Sequence, residues 1–259
     1  MGTGNWGLGA NSQAERRGEL ESAGRRSPVP SSLIGVVLPA GGSGQRLGGE
    51  PKQFRMLGDA PLLVQTVRAF ARHAEVGPVV VAAPAASVEA TRRLFARFEV
   101  EALVVAGGET RSASVESGLT ALPSGVEVVL VHDAVRPFVS GDLISRVAAA
   151  VRLHGAAAAA TAVADTLRLA SGDRFGATVD RSALWAMQTP QGARRDVFLA
   201  AYAAAHGTPG EAPTDEAGLL ALAGTPVAVV EGDARNLKVT TPTDWALAEA
   251  LWPAWVAGM

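Results

Sequence analysis

Four stretches of the chain, LIGVVLP (33–39), PVVVAAP (78–84), VEALVVAGG (100–108) and VEVVLVHDA (126–134), are rich in β-branched residues and show no polar alternation. A strand covered on both faces has no use for a polar face, so these runs predict buried strands of a parallel sheet. Between them Leu63, Val67 and Phe70 recur at helical spacing, and Ile144, Val147, Ala148 and Val151 do so again later. Alternation of strand and helix predicts an α/β fold, a single doubly wound, mostly parallel sheet with helices on both faces. The Ala-rich AAAAATAV (156–163) is short enough to be one more buried strand. Residues 165–181, DTLRLASGDRFGATVDR, interrupt this rhythm with two strand-like pieces around the turn SGDR. An isolated hairpin is marginal in water, so this one needs something to pack on.

In open α/β sheets, ligands bind beyond the carboxyl ends of the strands. The first strand ends in the loop PAGGSGQRLGGEPKQF (39–54), the third in GGETRSAS (107–114) and the fourth in HDAVRP (132–137). Two more polar clusters follow: TVDRSALW (178–185) with TPQ (189–191), and NLKVTTPTD (236–244) after the strand-like PVAVVEGD. The glycine loop fails as a dinucleotide fingerprint because Leu47 occupies the third glycine position. It fails as a Walker A loop because Glu50 and Pro51 follow Gly49. What remains is the physics common to both, in which glycines let backbone N–H groups close on an anion without interference from Cβ. Arg46 and Lys52 add two full cations, one a planar fork for phosphate oxygens and the other a mobile point charge. Asp133 falls at a strand tip, where a carboxylate has no packing role. A single such carboxylate suffices for Mg²⁺ when substrate phosphates supply the other ligands. His132 beside it reads as a partly buried strand-end histidine rather than a ligand.

Composition narrows the rest. None of the 259 residues is cysteine, which excludes disulfides, thiolate metal sites and thiol nucleophiles and fits a cytoplasmic protein. A formal charge of −2 gives no basic face for nucleic acid, so any anion site is local. Residues 1–31 are rich in Gly, Ser, Arg and Glu, lack the apolar stretch of a signal peptide, and are expected to be a disordered extension to a domain spanning 32–259. No apolar run reaches the length of a membrane span.

The glycine loop, GGETRSASV, VHDAVRP, TVDRSALWAMQTPQ, TDEA (214–217) and NLKVTTPTD, in that order, resemble the 2-C-methyl-D-erythritol 4-phosphate cytidylyltransferases of the non-mevalonate isoprenoid pathway, from about Leu33 to Leu251. The resemblance implies a nucleotide-diphospho-sugar transferase-like, Rossmann-like fold. It also implies homodimers joined by a protruding β-hairpin arm at about 164–182. The implied reaction is CTP plus methylerythritol phosphate giving CDP-methylerythritol and pyrophosphate, with Mg²⁺. It assigns Arg46, Lys52 and Lys238 to catalysis and Asp133 to the metal. Ala40, Gly41, Gly42, Gly44, Gly108, Glu109, Arg111 and Ser114 fall to the nucleotide. Arg136, Thr166, Arg181 and Thr214 fall to the polyol phosphate, with Arg181 and Thr166 serving the partner's site. One departure is Arg235, which stands directly before Asn236 where family members often carry an acid; Asp233 lies two positions earlier. Two alternatives stay open from the residues themselves: a cytidylyltransferase for another polyol phosphate such as ribitol 5-phosphate, and a non-catalytic nucleotide-sensing module.

Overall fold

The structure, a computed structural model, describes residue 1 and residues 33–41, 52–206 and 213–258. Residues 2–31 of the extension and most of the glycine loop, with Gly42, Gly44 and Arg46, lie outside the described residues. The elements below belong to one compact unit, Ser32–Met259.

In chain order the strands are β1 (Ile34–Pro39), β2 (Met56–Leu57), β3 (Ala60–Pro61), β4 (Val76–Ala83), β5 (Leu103–Ala106), β6 (Val128–Val131), β7 (Ala156–Ala162), β8 (Leu167–Ser171), β9 (Arg174–Val179), β10 (Trp185–Arg194) and β11 (Ala228–Glu231). The helices are α1 (Leu62–Ala71), α2 (Val88–Arg97), α3 (Arg111–Ala121), α4 (Gly141–His154), α5 (Arg195–Ala205), α6 (Glu216–Leu222) and α7 (Pro242–Ala257). Seven strands make one sheet in the order β11-β7-β10-β6-β1-β4-β5. Val37 of β1 lies opposite Val80 of β4 and Val131 of β6 in parallel register.

Period-two alternation sends neighbouring side chains to opposite faces, and both faces are covered. Val36, Leu38, Val79 and Val81 pack with α1 and α4, whereas Val37, Val80 and Val129 pack with α3, α5 and α6. Ile144, Val147, Ala148 and Val151 are all fully buried, as their spacing predicts. Ile144, Val147 and Val151, with Leu143, contribute about 1.5–3 kcal/mol each in apolar burial. Gly118 lets α3 settle on β1, because a Cβ there would stand 2.4 Å from Val37 Cγ1. That close approach sets the height of the α3 N-terminus, where Arg111 begins the helix under a Thr110 cap.

β10 departs from the parallel rhythm, running antiparallel to both β6 and β7. It carries no apolar run; its buried centre is Gln188, Thr189, Pro190 and Gln191. Pro190 has no N–H to give, and the ladder to β7 shifts register between Met187 and Gln191. The predicted hairpin is present as β8 and β9, which pair with each other in a sheet of two. Its apolar side chains Leu169 and Phe175 are 61% and 82% exposed.

Candidate active site

β1, β5 and β6 end together, and their trailing loops build the site. Gly107 and Gly108 turn the chain from β5 into α3; a Cβ on Gly107 would stand 2.6 Å from Ser114 Oγ and one on Gly108 2.4 Å from Ala113 Cβ. Only glycine fits a turn this tight against its own helix. Gly41, Gly108, Glu109, Arg111 and Ser114 line a cavity of about 320 Å³, at the lower end of small-ligand size. Ser114 spends its hydroxyl on the Thr110 carbonyl at 2.9 Å, so it shapes the loop. Ala40 has both backbone groups engaged, its N–H donating to Ala82 O and its carbonyl accepting from Gln53 Nε2 at 3.2 Å. That second bond ties the 3₁₀ turn Lys52–Phe54 to the end of β1, which brings Lys52 to the same edge. A larger cavity of about 720 Å³, lined by Ala69, Val139, Leu251 and Trp255 among others, is mainly apolar and shares no lining residue with the polar site.

Asp133, just past β6, is 7% exposed, which overturns the expectation of a strand-tip carboxylate without a packing role. It is the centre of a charge group. Lys238 Nζ stands 3.0 Å from Oδ2 and Arg136 Nε 3.4 Å from the same oxygen, while Arg111 Nε and Nη2 each stand 3.4 Å from Oδ1. Burial alone would raise the Asp133 pKa, but Lys238 and then Arg111 outweigh it and hold the carboxyl far below the usual range. Arg111 also forks onto Glu216, with Nη1 to Oε1 at 2.8 Å and Nη2 to Oε2 at 2.9 Å. Burial lowers the Arg111 pKa, yet Glu216 more than offsets that and leaves it raised. Arg136 is anchored by Nη1 donating to Asn236 O at 2.7 Å, and burial lowers its pKa. Three cations against the carboxylates of Asp133 and Glu216 leave the group one positive charge in excess. That excess favours an anion beside the group.

His132 is fully buried, not partly, and burial brings its pKa down to about 4, so it is neutral near pH 7. The Asp133 N–H donates to Thr189 Oγ1 at 3.1 Å, which leaves the Thr189 hydroxyl to donate to His132 Nδ1 at 3.0 Å. The network therefore assigns the imidazole proton to Nε2, 3.0 Å from Arg136 O. Asn236 Nδ2 donates to Thr189 O at 2.7 Å, so β10 supports both the Asp133 loop and the 233–238 segment that carries Lys238. Asp233 pairs with Arg235, with Arg235 Nη2 at 2.7 Å from Oδ2, so its carboxylate is already spent.

Lys238, Arg111 and Arg136 thus all contact Asp133, and Gly41, Gly108, Glu109 and Ser114 share the adjoining cavity. Thr166 and Arg181 sit exposed at the hairpin base and, among the described residues, make no hydrogen bond or ion pair with this group; Arg181 Nη1 instead donates to Ala164 O. Thr214 is exposed, and Asp215 rather than Thr214 caps α6. Arg46, Gly42 and Gly44 lie outside the described residues. Glu216, Thr189 and Gln191 lie in TDEA and TPQ but were not assigned to the site from sequence. Glu216 was visible within TDEA, but an acid in a first helical turn is ordinarily a solvated dipole partner.

An open α/β sheet with a cation-ringed carboxylate and a glycine-built cavity at its strand ends is consistent with a nucleotidyltransferase-like fold. The family profile "IspD: 2-C-methyl-D-erythritol 4-phosphate cytidylyltransferase" matches residues 34–253, and the chain belongs to that family. A curated relative of that name from Salinibacter ruber is 50% identical over 224 residues, 86% of this chain and 94% of the relative. Another from Deinococcus radiodurans is 47% identical over 221 residues, covering 85% and 90%. The crystal structure of the Thermus thermophilus 2-C-methyl-D-erythritol 4-phosphate cytidylyltransferase superposes with a TM-score of 0.74 at 38% identity, over 85% of this chain and 99% of that one. No helix among the described residues is long and apolar enough to cross a membrane.

Proposed function

We propose that the Asp133 group and the Gly107–Ser114 wall form the site of this enzyme's reaction. That reaction is transfer of a cytidylyl group from CTP to 2-C-methyl-D-erythritol 4-phosphate. A phosphate oxygen of the acceptor forms a bond to the α-phosphorus of CTP as the bond from that phosphorus to the bridging oxygen of the β-phosphate breaks. Pyrophosphate departs with the electron pair. No covalent protein group is required; two anions must be held in line and their charge cancelled. The observation that carries the assignment is the convergence of Lys238, Arg111 and Arg136 on one buried aspartate beside the cavity lined by Gly108, Glu109 and Ser114.

In this reading the Gly108–Ser114 wall receives the cytidine and Lys52 reaches the triphosphate from the β1 edge, joined by Arg46 and the backbone of Gly42 and Gly44. Lys238 and Arg136 serve the attacking phosphate. Asp133 suits Mg²⁺, since the ion takes one or two carboxylates plus substrate phosphates and Oδ1, among the described residues, accepts two long contacts of 3.4 Å. Bound there, the ion would neutralise charge developing on the phosphate oxygens. The β8–β9 arm would pack against a second copy in a cytoplasmic homodimer and present Arg181 and Thr166 to the partner's acceptor, with Thr214 contacting the polyol from its own chain. Exposed Leu169 and Phe175 support this, because an isolated hairpin lacks a surface for them.

Purified protein with CTP and Mg²⁺ should release pyrophosphate when methylerythritol phosphate is added. Release with ribitol 5-phosphate alone would assign a different acceptor, and CTP binding without turnover towards any polyol phosphate would assign a sensor.

A further inference from the structure

Glu216 is 2% exposed, and its carboxylate is the nearest partner of Arg111. Its backbone is fixed from both sides. Asp215 accepts from the Gly218 N–H at 2.9 Å and from Gln191 Nε2 at 2.9 Å, while Gln191 Oε1 accepts from the Ala217 N–H at 2.8 Å. The first turn of α6 is therefore pinned to β10, and the Glu216 side chain reaches from it to the first residue of α3. Arg111 then divides its fork unequally: 2.8 and 2.9 Å to Glu216, but 3.4 Å twice to Asp133. Charge-assisted bonds of this kind are best near 2.7–2.9 Å, so Glu216 wins the guanidinium and Asp133 keeps only a loose share.

Resting on the cytidylyl-transfer reading, we propose that Glu216 is a positioning residue for the reaction, holding Arg111 against the cavity wall and off Asp133. Without that negative charge nothing restrains the guanidinium from closing onto Asp133 as a tight fork. Both Asp133 oxygens would then be occupied, Oδ1 by Arg111 and Oδ2 by Lys238 and Arg136. Asp133 would lose the open oxygen that the substrate complex needs, and Lys238 would face a carboxylate already neutralised by its neighbour. Glu216 touches neither nucleotide nor acceptor in this scheme; it acts through Arg111.

Glu216→Gln keeps the shape and removes the charge. Turnover should fall roughly ten- to a hundredfold, the range for residues that orient a site's ligands, while the CTP dissociation constant from calorimetry moves less than about threefold. Glu216→Asp, which retains the charge, should recover part of that loss. In an Arg111→Gln background, Glu216→Gln should add no further loss, because a residue acting through Arg111 has nothing left to position. Full turnover by Glu216→Gln, or equal losses in both backgrounds, would overturn the proposal. Should Glu216→Gln fail to fold, Arg111→Lys carries the test: it keeps the charge but not the fork, and wild-type turnover there is equally fatal. A wild-type enzyme that releases no pyrophosphate refutes the function itself, and that result is read before any variant is made.

Discussion

The Asp133 group and the β8–β9 arm carry similar residues to opposite ends. In the first, Arg111, Arg136, Lys238, Asp133 and Glu216 satisfy one another inside a single chain, with Asp133 and Glu216 almost out of water. In the second, the Arg174–Asp173 pair stands 3.9 Å apart with both side chains about nine-tenths exposed, and Phe175 and Leu169 face solvent. Exposed pairs of that kind contribute little, whereas a buried pair that loses one partner leaves a bare charge where no water can reach it. The group at the strand ends is satisfied within the chain, whereas the apolar side chains of the arm face solvent.

Stability gives the largest contrast. Arg111→Ala strands the Glu216 carboxylate, and urea unfolding should show a loss of about 3–5 kcal/mol. Arg174→Ala in the arm should move the same curve by under about 0.5 kcal/mol. Equal effects would erase the distinction between the two regions.

Turnover sharpens it next. Lys238 is 45% exposed at its side chain, and Arg111 and Arg136 still face Asp133 when it is removed. Lys238→Met should cost on the order of 10²–10³ in kcat, as loss of one transition-state donor does, with the melting temperature falling less than for Arg111→Ala. Near-normal pyrophosphate release would mean that Lys238 serves Asp133 as a structural counter-ion and nothing more.

The sheet was legible because its strands carry uninterrupted β-branched runs, and Val36–Leu38 and Val79–Val81 need no polar face when helices cover both sides. β10 was not, since Gln188, Thr189, Pro190 and Gln191 read as a polar loop; their side chains are buried for what they hold, and periodicity does not report that. Lys238, Arg111, Arg136 and Asp133 were legible from motif order. The contact of the three cations with Asp133 was not, because one aspartate serving three cations is a property of where the β5, β6 and β11 loops meet. Glu216 was hidden for the same reason, its partner lying on a helix 105 residues earlier.

Acid should separate the regions more gently. The folded Asp133 carboxyl titrates below its ordinary value of 3.8, so its contribution is present above that value and is lost as pH falls below it. The melting temperature should therefore decline from about pH 4 downward, and Asp133→Asn should flatten that limb. Phe175→Ser in the exposed arm should leave the limb as it is. A wild-type profile unchanged between pH 5 and 2 would contradict the Asp133 ion group.

The smallest effect on the fold belongs to the arm, and it tests most directly whether a second copy covers it. Phe175 is 82% exposed on a strand whose ladder partner, among the described residues, is β8 alone, so Phe175→Ser removes no contact that stabilises the chain by itself. Unfolding followed at a concentration where the chain is monomeric should shift by less than about 0.5 kcal/mol. If a second copy covers the arm, the same change removes a buried phenyl worth about 1.5–3 kcal/mol per site from the interface. Sedimentation equilibrium should then show dimer dissociation moving to at least about tenfold higher concentration. An unchanged association constant with an unchanged fold would leave Phe175 outside any interface between copies and overturn the arm's proposed role in joining them.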